Sequence, residues 1–377
     1  MSRVGTPSRL CENWSLHTQS KFRLLVVRLG AMGDILHALP AVTALRRMHP
    51  SWVIGWVVEP RWRALLAAPG AAGRGLSMPV VDALHFAPTR EWRDKPLSMS
   101  TLRGVGALRR ELRSAGYDAV IDFQGAIRSA VVSRMAGHRR VIGEADPREG
   151  IARWLFTERV VTHGAHVIEQ DFELAAQIAG DELEPGPPQL PIDPAAEAWC
   201  DDLLRSSGER HVALINPGAG WGAKRWPVER YGEVARGFMS RGMRVLVNAG
   251  PGEEPMADVI VKEASGAAIP LAMSLDQLIA LTRRVALCVA GDTGPLHLAC
   301  ALGRPVVGIY GPTDPSRNGP YGTRYRVLRS PESRRDHTRR PEPEAGLLTI
   351  SPEQVLKAAE ELLAEETEAR RCGVNPQ

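Results

Sequence analysis

Twice along the chain, short apolar runs ending on glycine alternate with amphipathic helical stretches, and a proline-rich segment separates the two series. Strand, crossover helix and strand in repetition leave one economical solution, a parallel sheet covered by helices on both faces. In the first series 22–28 and 52–58 are bounded apolar strands, with 119–123 a later one. Helical periodicity covers 35–48, through Leu36, Leu39, Val42, Ala44 and Leu45, and again 102–112. In the second series the strands are 212–215, 245–247, 286–289 and 306–310, with helices near 228–241, 254–265, 274–283 and 294–302. Between them, 181–194 contains Pro185, Pro187, Pro188 and Pro191 and cannot hold a helix or a central strand. The expected organisation is α/β: two Rossmann-like domains, 22–180 and 195–350, joined by a linker and facing across a cleft that takes the ligand.

The ends of the chain read differently. Residues 1–21 form an N-terminal extension expected to be disordered, as are the last six residues. The charged, proline-containing stretch 330–344 suits an exposed loop. Ser351-Pro352-Glu353-Gln354 then opens a helix over 351–371, with a serine cap, proline in the first turn and glutamine three residues after the cap. Its stripe of Val355, Leu356, Ala359, Leu362 and Leu363 needs a partner, and packing back on the N-terminal domain is the expectation.

Composition excludes several classes. Among 377 residues, 47 Lys and Arg stand against 43 Asp and Glu, a surplus of four. That is too small for a dedicated nucleic-acid coat. Five scattered cysteines without a C-x-x-C argue against a disulfide framework or a structural zinc site and for a reducing cytoplasm. No secretory signal is visible, and the most hydrophobic stretch, 24–45, is broken by Arg28, Asp34, His37 and two glycines, so it reads as strand, turn and helix. The expected protein is soluble and at most peripheral to a membrane.

Three glycine turns follow strands. In Arg28-Leu29-Gly30-Ala31-Met32-Gly33-Asp34, glycine permits close approach of a ligand, and Asp34 either points into the cleft or caps the helix. A dinucleotide site would want an acid at the end of the next strand, where Glu59 stands, but the turn offers G-x-x-G rather than G-x-G-x-x-G, which counts against an oxidoreductase. In Asn216-Pro217-Gly218-Ala219-Gly220-Trp221-Gly222-Ala223-Lys224-Arg225, exposed amides and cations suit a diphosphate, without the Walker pattern. In Gly291-Asp292-Thr293-Gly294-Pro295-Leu296-His297, the amides of Thr293, Gly294 and Leu296 are placed to meet an anion, with Asp292 free to accept sugar hydroxyls. His297 is either a ligand contact or a core histidine. A carboxylate after Gly250-Pro251-Gly252, Glu253 or Glu254, suits a ribose diol or an exposed acidic loop. A non-catalytic nucleotide-sugar or lipid-binding module would need the same turns without Asp34.

These residues carry a resemblance to glycosyltransferase family 9, the heptosyltransferases of bacterial lipopolysaccharide synthesis. The stretch 28–40 looks like the opening motif of heptosyltransferase I-type members. Gly291 to Ala299 and Tyr310-Gly311-Pro312-Thr313-Asp314-Pro315 resemble the family's nucleotide-sugar segments, with order and spacing agreeing over about 22–325. The resemblance implies a GT-B fold, an ADP-heptose donor, Kdo-lipid A as acceptor, inversion at the anomeric carbon, no metal and no cofactor, and work at the cytoplasmic face of the inner membrane without nucleic acid. By the same resemblance Asp34 is the general base and Lys224 the diphosphate-binding lysine. Gly218, Ala219, Gly220, Glu254, Asp292, Thr293, Gly294, Leu296 and His297 belong to the donor side. Gly33, Arg90, Trp92, Arg93, Arg128 and Arg134 belong to the acceptor side. The run Gly218-Ala219-Gly220 before the lysine departs from the threonines of heptosyltransferase I and is closer to the second heptosyltransferase.

Overall fold

The computed structural model describes residues 21–371 apart from 138, 206–207, 209–210 and 336–339. Residues 1–20 and 372–377, for which disorder was expected, lie outside the described residues. The first unit runs β1 (Arg23–Val27), α1 (Met32–Met48), β2 (Val53–Val58), β3 (Ala83–Phe86), α2 (Thr89–Asp94), α3 (Met99–Ser114) and β4 (Ala119–Asp122). It continues through α4 (Ile127–Met135), β5 (Val141–Glu144), β6 (Glu158–Val160) and α5 (Val167–Ala179). The second opens with α6 (Pro194–Arg205), β7 (Val212–Asn216), α7 (Val228–Ser240), β8 (Arg244–Asn248), α8 (Glu254–Glu263) and β9 (Ile269–Leu271). It ends with α9 (Leu275–Thr282), β10 (Leu287–Gly291), α10 (Gly294–Ala301), β11 (Val306–Tyr310), α11 (Pro315–Asn318), β12 (Tyr325–Arg329) and α12 (Pro352–Arg371).

Each unit holds a six-stranded parallel sheet, ordered β3-β2-β1-β4-β5-β6 and β12-β11-β10-β7-β8-β9. Both orders reverse direction beside their first strand, at β1/β4 and at β7/β10, which is where an open α/β sheet makes its crevice. The glycine turns after β1, β7 and β10 therefore share the carboxyl ends of central strands. Those strands are apolar throughout because helices cover both faces: Leu24, Leu25, Val26 and Val27 in β1 and Cys288, Val289 and Ala290 in β10 are fully buried.

The linker is fastened at both ends. Leu183 and Leu190 sit in a core cluster that runs from Leu24 and Leu39 of the first unit to Leu214, Leu281 and Leu298 of the second. The Gln189 amide donates to Thr43 Oγ1 at 3.3 Å, and Arg283 donates to the carbonyl of Pro191 at 2.6 Å.

One expectation is corrected. Helix α12 does not return to the N-terminal domain; it packs on α7, β11 and β12 of the second sheet. The reason is its stripe: Val355, Ala359 and Leu362 are fully buried in the same cluster as Tyr231, Phe238 and Val307, completing the second core. Leu362→Ala is expected to destabilise the protein by about 2–5 kcal/mol through lost burial and a residual cavity, read from the denaturant midpoint. Among the described residues no helix is long and apolar enough to cross a membrane.

Candidate active site

The turn between β1 and α1 is held from behind. Buried Asp122 at the end of β4 accepts from the amides of Gln124 and Gly125 and from the hydroxyls of Ser129 and Ser133, fixing the following loop. Gln124 Oε1 in turn accepts from the Leu29 amide at 2.8 Å, and the Phe123 carbonyl accepts from the Arg28 guanidinium. Arg28, largely buried, donates from Nε to the Asp34 carbonyl at 3.1 Å and faces its carboxylate at 3.6 Å. Asp34 Oδ2 also accepts from the Ala31 amide at 2.9 Å. Asp34, at the third helical position, therefore reaches back to the amide of the N-cap residue, yet its side chain remains 36% exposed. Close to this pair lies Asp171 of α5, buried, with Oδ2 lacking a hydrogen-bond partner among the described residues. Burial pushes its carboxyl up to about 8, Arg28 pulling the other way and Asp34 and Glu144 adding to the rise. Protonated at neutral pH, it adds no second negative charge beside Arg28.

On the second domain a cavity of about 340 Å³ lies over the ends of β7, β8 and β10. Gly218, Ala219, Gly220, Lys224, Asp292, Thr293 and Gly294 all line it, as expected from the two glycine turns. Lys224 is ion-paired with Asp292, both side chains about nine-tenths buried, and its ammonium stands 4.2 Å from the Trp221 ring centroid. Burial opposes ionisation of Asp292, but the hydrogen bond from His297 and the Lys224 charge outweigh it and hold the carboxyl well below its usual range. The site thus presents an ammonium, a carboxylate and the amino end of α10 to one hollow, a set suited to a diphosphate and a hydroxylated sugar.

The two halves meet where α1 and α10 begin. A Cβ added at Gly33 would lie 2.8 Å from His297 Cδ2, and one at Gly294 would lie 2.6 Å from Met32 Sδ. The missing side chains let the Asp34 turn abut the wall of the cavity. Beside this contact His37 Nε2 is 3.2 Å from His297 Nδ1, and His297 Nε2 is 3.4 Å from Asp292 Oδ1. A carboxylate only accepts, so His297 donates from Nε2 and turns its Nδ1 to His37. A polar chain from His37 through His297 and Asp292 to Lys224 crosses the domain boundary.

Burial, then the charges of His297, His166 and Arg28, pull His37 well below the ordinary histidine range, with Asp292 opposing. His166, whose ring lies 5.6 Å away, is lowered by burial and by His297, against the Gly319 carbonyl and Glu169. Below about pH 6.5 the unfolded chain binds protons that these folded rings refuse, so stability falls as pH falls. The melting temperature is expected to decline between about pH 7 and 5, and His37→Gln to flatten that decline in a pH series of thermal melts.

Several expected residues stand elsewhere. Glu254 is exposed at the first position of α8 and does not line the cavity; Glu253 does, its carboxylate lying against Gly218 and accepting from the Gly250 amide at 3.0 Å. Leu296 is fully buried in an apolar cluster and its amide donates to the Thr293 carbonyl at 3.1 Å, so an anion would meet Thr293 and Gly294 instead. His297 lies behind the cavity rather than on its lining, bonded to side chains rather than to backbone. Glu59 is buried, accepting from Thr89 Oγ1 at 2.6 Å and pairing with Arg61, not presented to a ribose. Arg90 and Arg93 are exposed on α2, while Trp92 packs on the core beneath; Arg128 and Arg134 are exposed on α4, and none of these five lines the Lys224 cavity. Asn216, Asn248 and Trp221 were not singled out. The signal for the asparagines was a polar residue ending each apolar strand run, and Asn248 Nδ2 donates to Asn216 Oδ1 at 2.9 Å.

The family model for glycosyltransferase family 9 (heptosyltransferase) matches residues 105–347. Lipopolysaccharide heptosyltransferase 1 of Escherichia coli (strain K12) is 31% identical over 314 residues, covering 82% of this chain and 94% of that protein. Among solved structures, E. coli heptosyltransferase WaaC with ADP-2-deoxy-2-fluoro heptose gives a TM-score of 0.72 at 27% identity, covering 90% of this chain and 99% of that one. E. coli ADP-heptose lps heptosyltransferase II gives 0.71 at 25% identity, covering 92% and 100%. Both domains share their GT-B fold.

Proposed function

Since the chain belongs to glycosyltransferase family 9 and is a glycosyltransferase, we propose that it transfers heptose from ADP-heptose to a Kdo residue of Kdo-lipid A, with inversion and without a metal, at the cytoplasmic face of the inner membrane. The observation that carries this is the abutment of the Asp34 turn on the cavity built by Lys224, Asp292 and the start of α10. The solved relative holding an ADP-linked fluoro heptose supports the donor. In one in-line step the acceptor hydroxyl oxygen bonds to the anomeric carbon as the bond from that carbon to the diphosphate oxygen breaks. Asp34 takes the hydroxyl proton, and ADP departs with the electron pair. Charge growing on the diphosphate is met by the Lys224 ammonium and the amides of Thr293 and Gly294. Glu253, which lines the cavity, meets the ribose in this reading, and Asp292 keeps the ammonium oriented.

The Gly218-Ala219-Gly220 run favours a second reading, a later core acceptor already bearing heptose. Purified protein with ADP-heptose and either Kdo-lipid A or its heptosylated product decides between them by the mass of the product. Transfer to the heptosylated acceptor alone would establish the second reading; transfer to neither would overturn both.

A further inference from the structure

The layer of the first domain opposite α1 and α5 includes, beside α2 with its two arginines and two acids, α3, α4 and a 3-10 turn at Gly150–Leu155, which pack inward through Leu108, Leu112, Ala130, Val132 and Ala152. Outward, these three elements carry seven arginines and a single acidic residue, Glu111, which faces His85 Nδ1 at 2.6 Å. The surplus of six exceeds the four of the entire chain. Arg103, Arg109, Arg110 and Arg113 are exposed along one shallow groove of α3. None of the seven is ion-paired with another described residue. Among these cations large apolar side chains stand in water: Trp154 is 66% exposed and Ile151 67%, with Leu102 and Val131 exposed beside them. The Arg153 and Arg159 guanidinium carbons each lie 5.1 Å from the Trp154 ring centroid.

We propose that this layer is the docking face for an anionic phospholipid bilayer, with Trp154 and Ile151 entering the headgroup boundary and the arginines meeting phosphates. Indole is amphipathic and sits at headgroup depth, while guanidinium keeps its charge with the phosphates as its stem covers apolar surface. A phosphodiester backbone would use the cations but has no use for exposed Ile151, Val131 and Leu102, which favours lipid over nucleic acid. The choice of a membrane partner rests on the lipid-borne acceptor proposed above, but the docking itself needs no acceptor.

The full-length protein is tested by flotation with phosphatidylcholine vesicles, with vesicles of equal parts phosphatidylcholine and phosphatidylglycerol, and with a random DNA duplex. Binding to the anionic vesicles alone, weakened by salt, is expected. Affinity should drop about five-fold for each cation removed, so that Arg109→Glu/Arg110→Glu/Arg113→Glu loses it by more than about 100-fold. Trp154→Ala/Ile151→Ser should weaken it at least about five-fold at any salt. Both variants should keep parental circular dichroism and parental transfer to a deacylated, water-soluble Kdo acceptor, which separates loss of docking from loss of the proposed chemistry. Equal binding to neutral vesicles, unchanged binding by both variants, or arginine-dependent binding of the duplex without the vesicles would overturn the assignment.

Discussion

Asp34→Asn is expected to fold and to bind an ADP-linked donor as the parent does, yet to turn over about 10²–10⁴-fold more slowly, the usual cost of removing a positioned base. The carboxylate has two tasks. Its Oδ2 accepts from the Ala31 amide and so finishes the α1 N-terminus, while the group as a whole faces Arg28 and stays partly open to solvent. Asparagine retains an acceptor for that amide but cannot take a proton. Asp34→Ala removes both, and should add the loss of one hydrogen bond at the helix start, about 0.5–1.5 kcal/mol in denaturant titrations, to the same kinetic defect. The comparison isolates chemistry from folding. If Asp34→Asn turned over within a few-fold of the parent, the residue would be a cap and the base would have to be sought elsewhere.

Lys224→Ala should lower kcat by about 10²–10³-fold, the scale seen when one preorganised donor to developing charge is lost, and weaken donor binding as well. An effect confined to KM would mean that the ammonium holds ground state and transition state equally. The pairing with Asp292 complicates the single variant, because both side chains are about nine-tenths buried. Deleting the lysine strands a buried carboxylate, at about 3–5 kcal/mol. Adding Asp292→Asn to Lys224→Ala should restore most of that stability without restoring kcat. Recovery of turnover in the double variant would show that Lys224 serves the fold alone.

The centre of each sheet was legible because buried parallel strands are nearly all apolar. Strands β1, β2, β4, β7, β8, β10 and β11 carry that signature; β6, Glu-Arg-Val, and β9, Ile-Pro-Leu, do not, being three-residue edge strands held by their neighbours. Much of the site was legible for a related reason. Asp34, Lys224, Asp292 and Thr293 sit in glycine turns after central strands, where chain topology alone brings the turns toward one crevice. Adjacent carboxylates could not be told apart, since Glu253 or Glu254 enters the cavity according to how the chain bends into α8, and sequence spacing does not record that bend. Nor could the destination of α12: its apolar stripe says that it must be covered, not by which sheet. His37 pairs with His297 across 260 positions of sequence, a contact with no local pattern.

Gly33 and Gly294 have a consequence for how such an enzyme can drift. Each occupies the spot where its opposite half would collide with even a methyl group, so two absent carbons set the clearance of the whole machine. A larger side chain at either point would act as a doorstop, leaving the Lys224 cavity and the Asp34 turn individually intact but holding them apart.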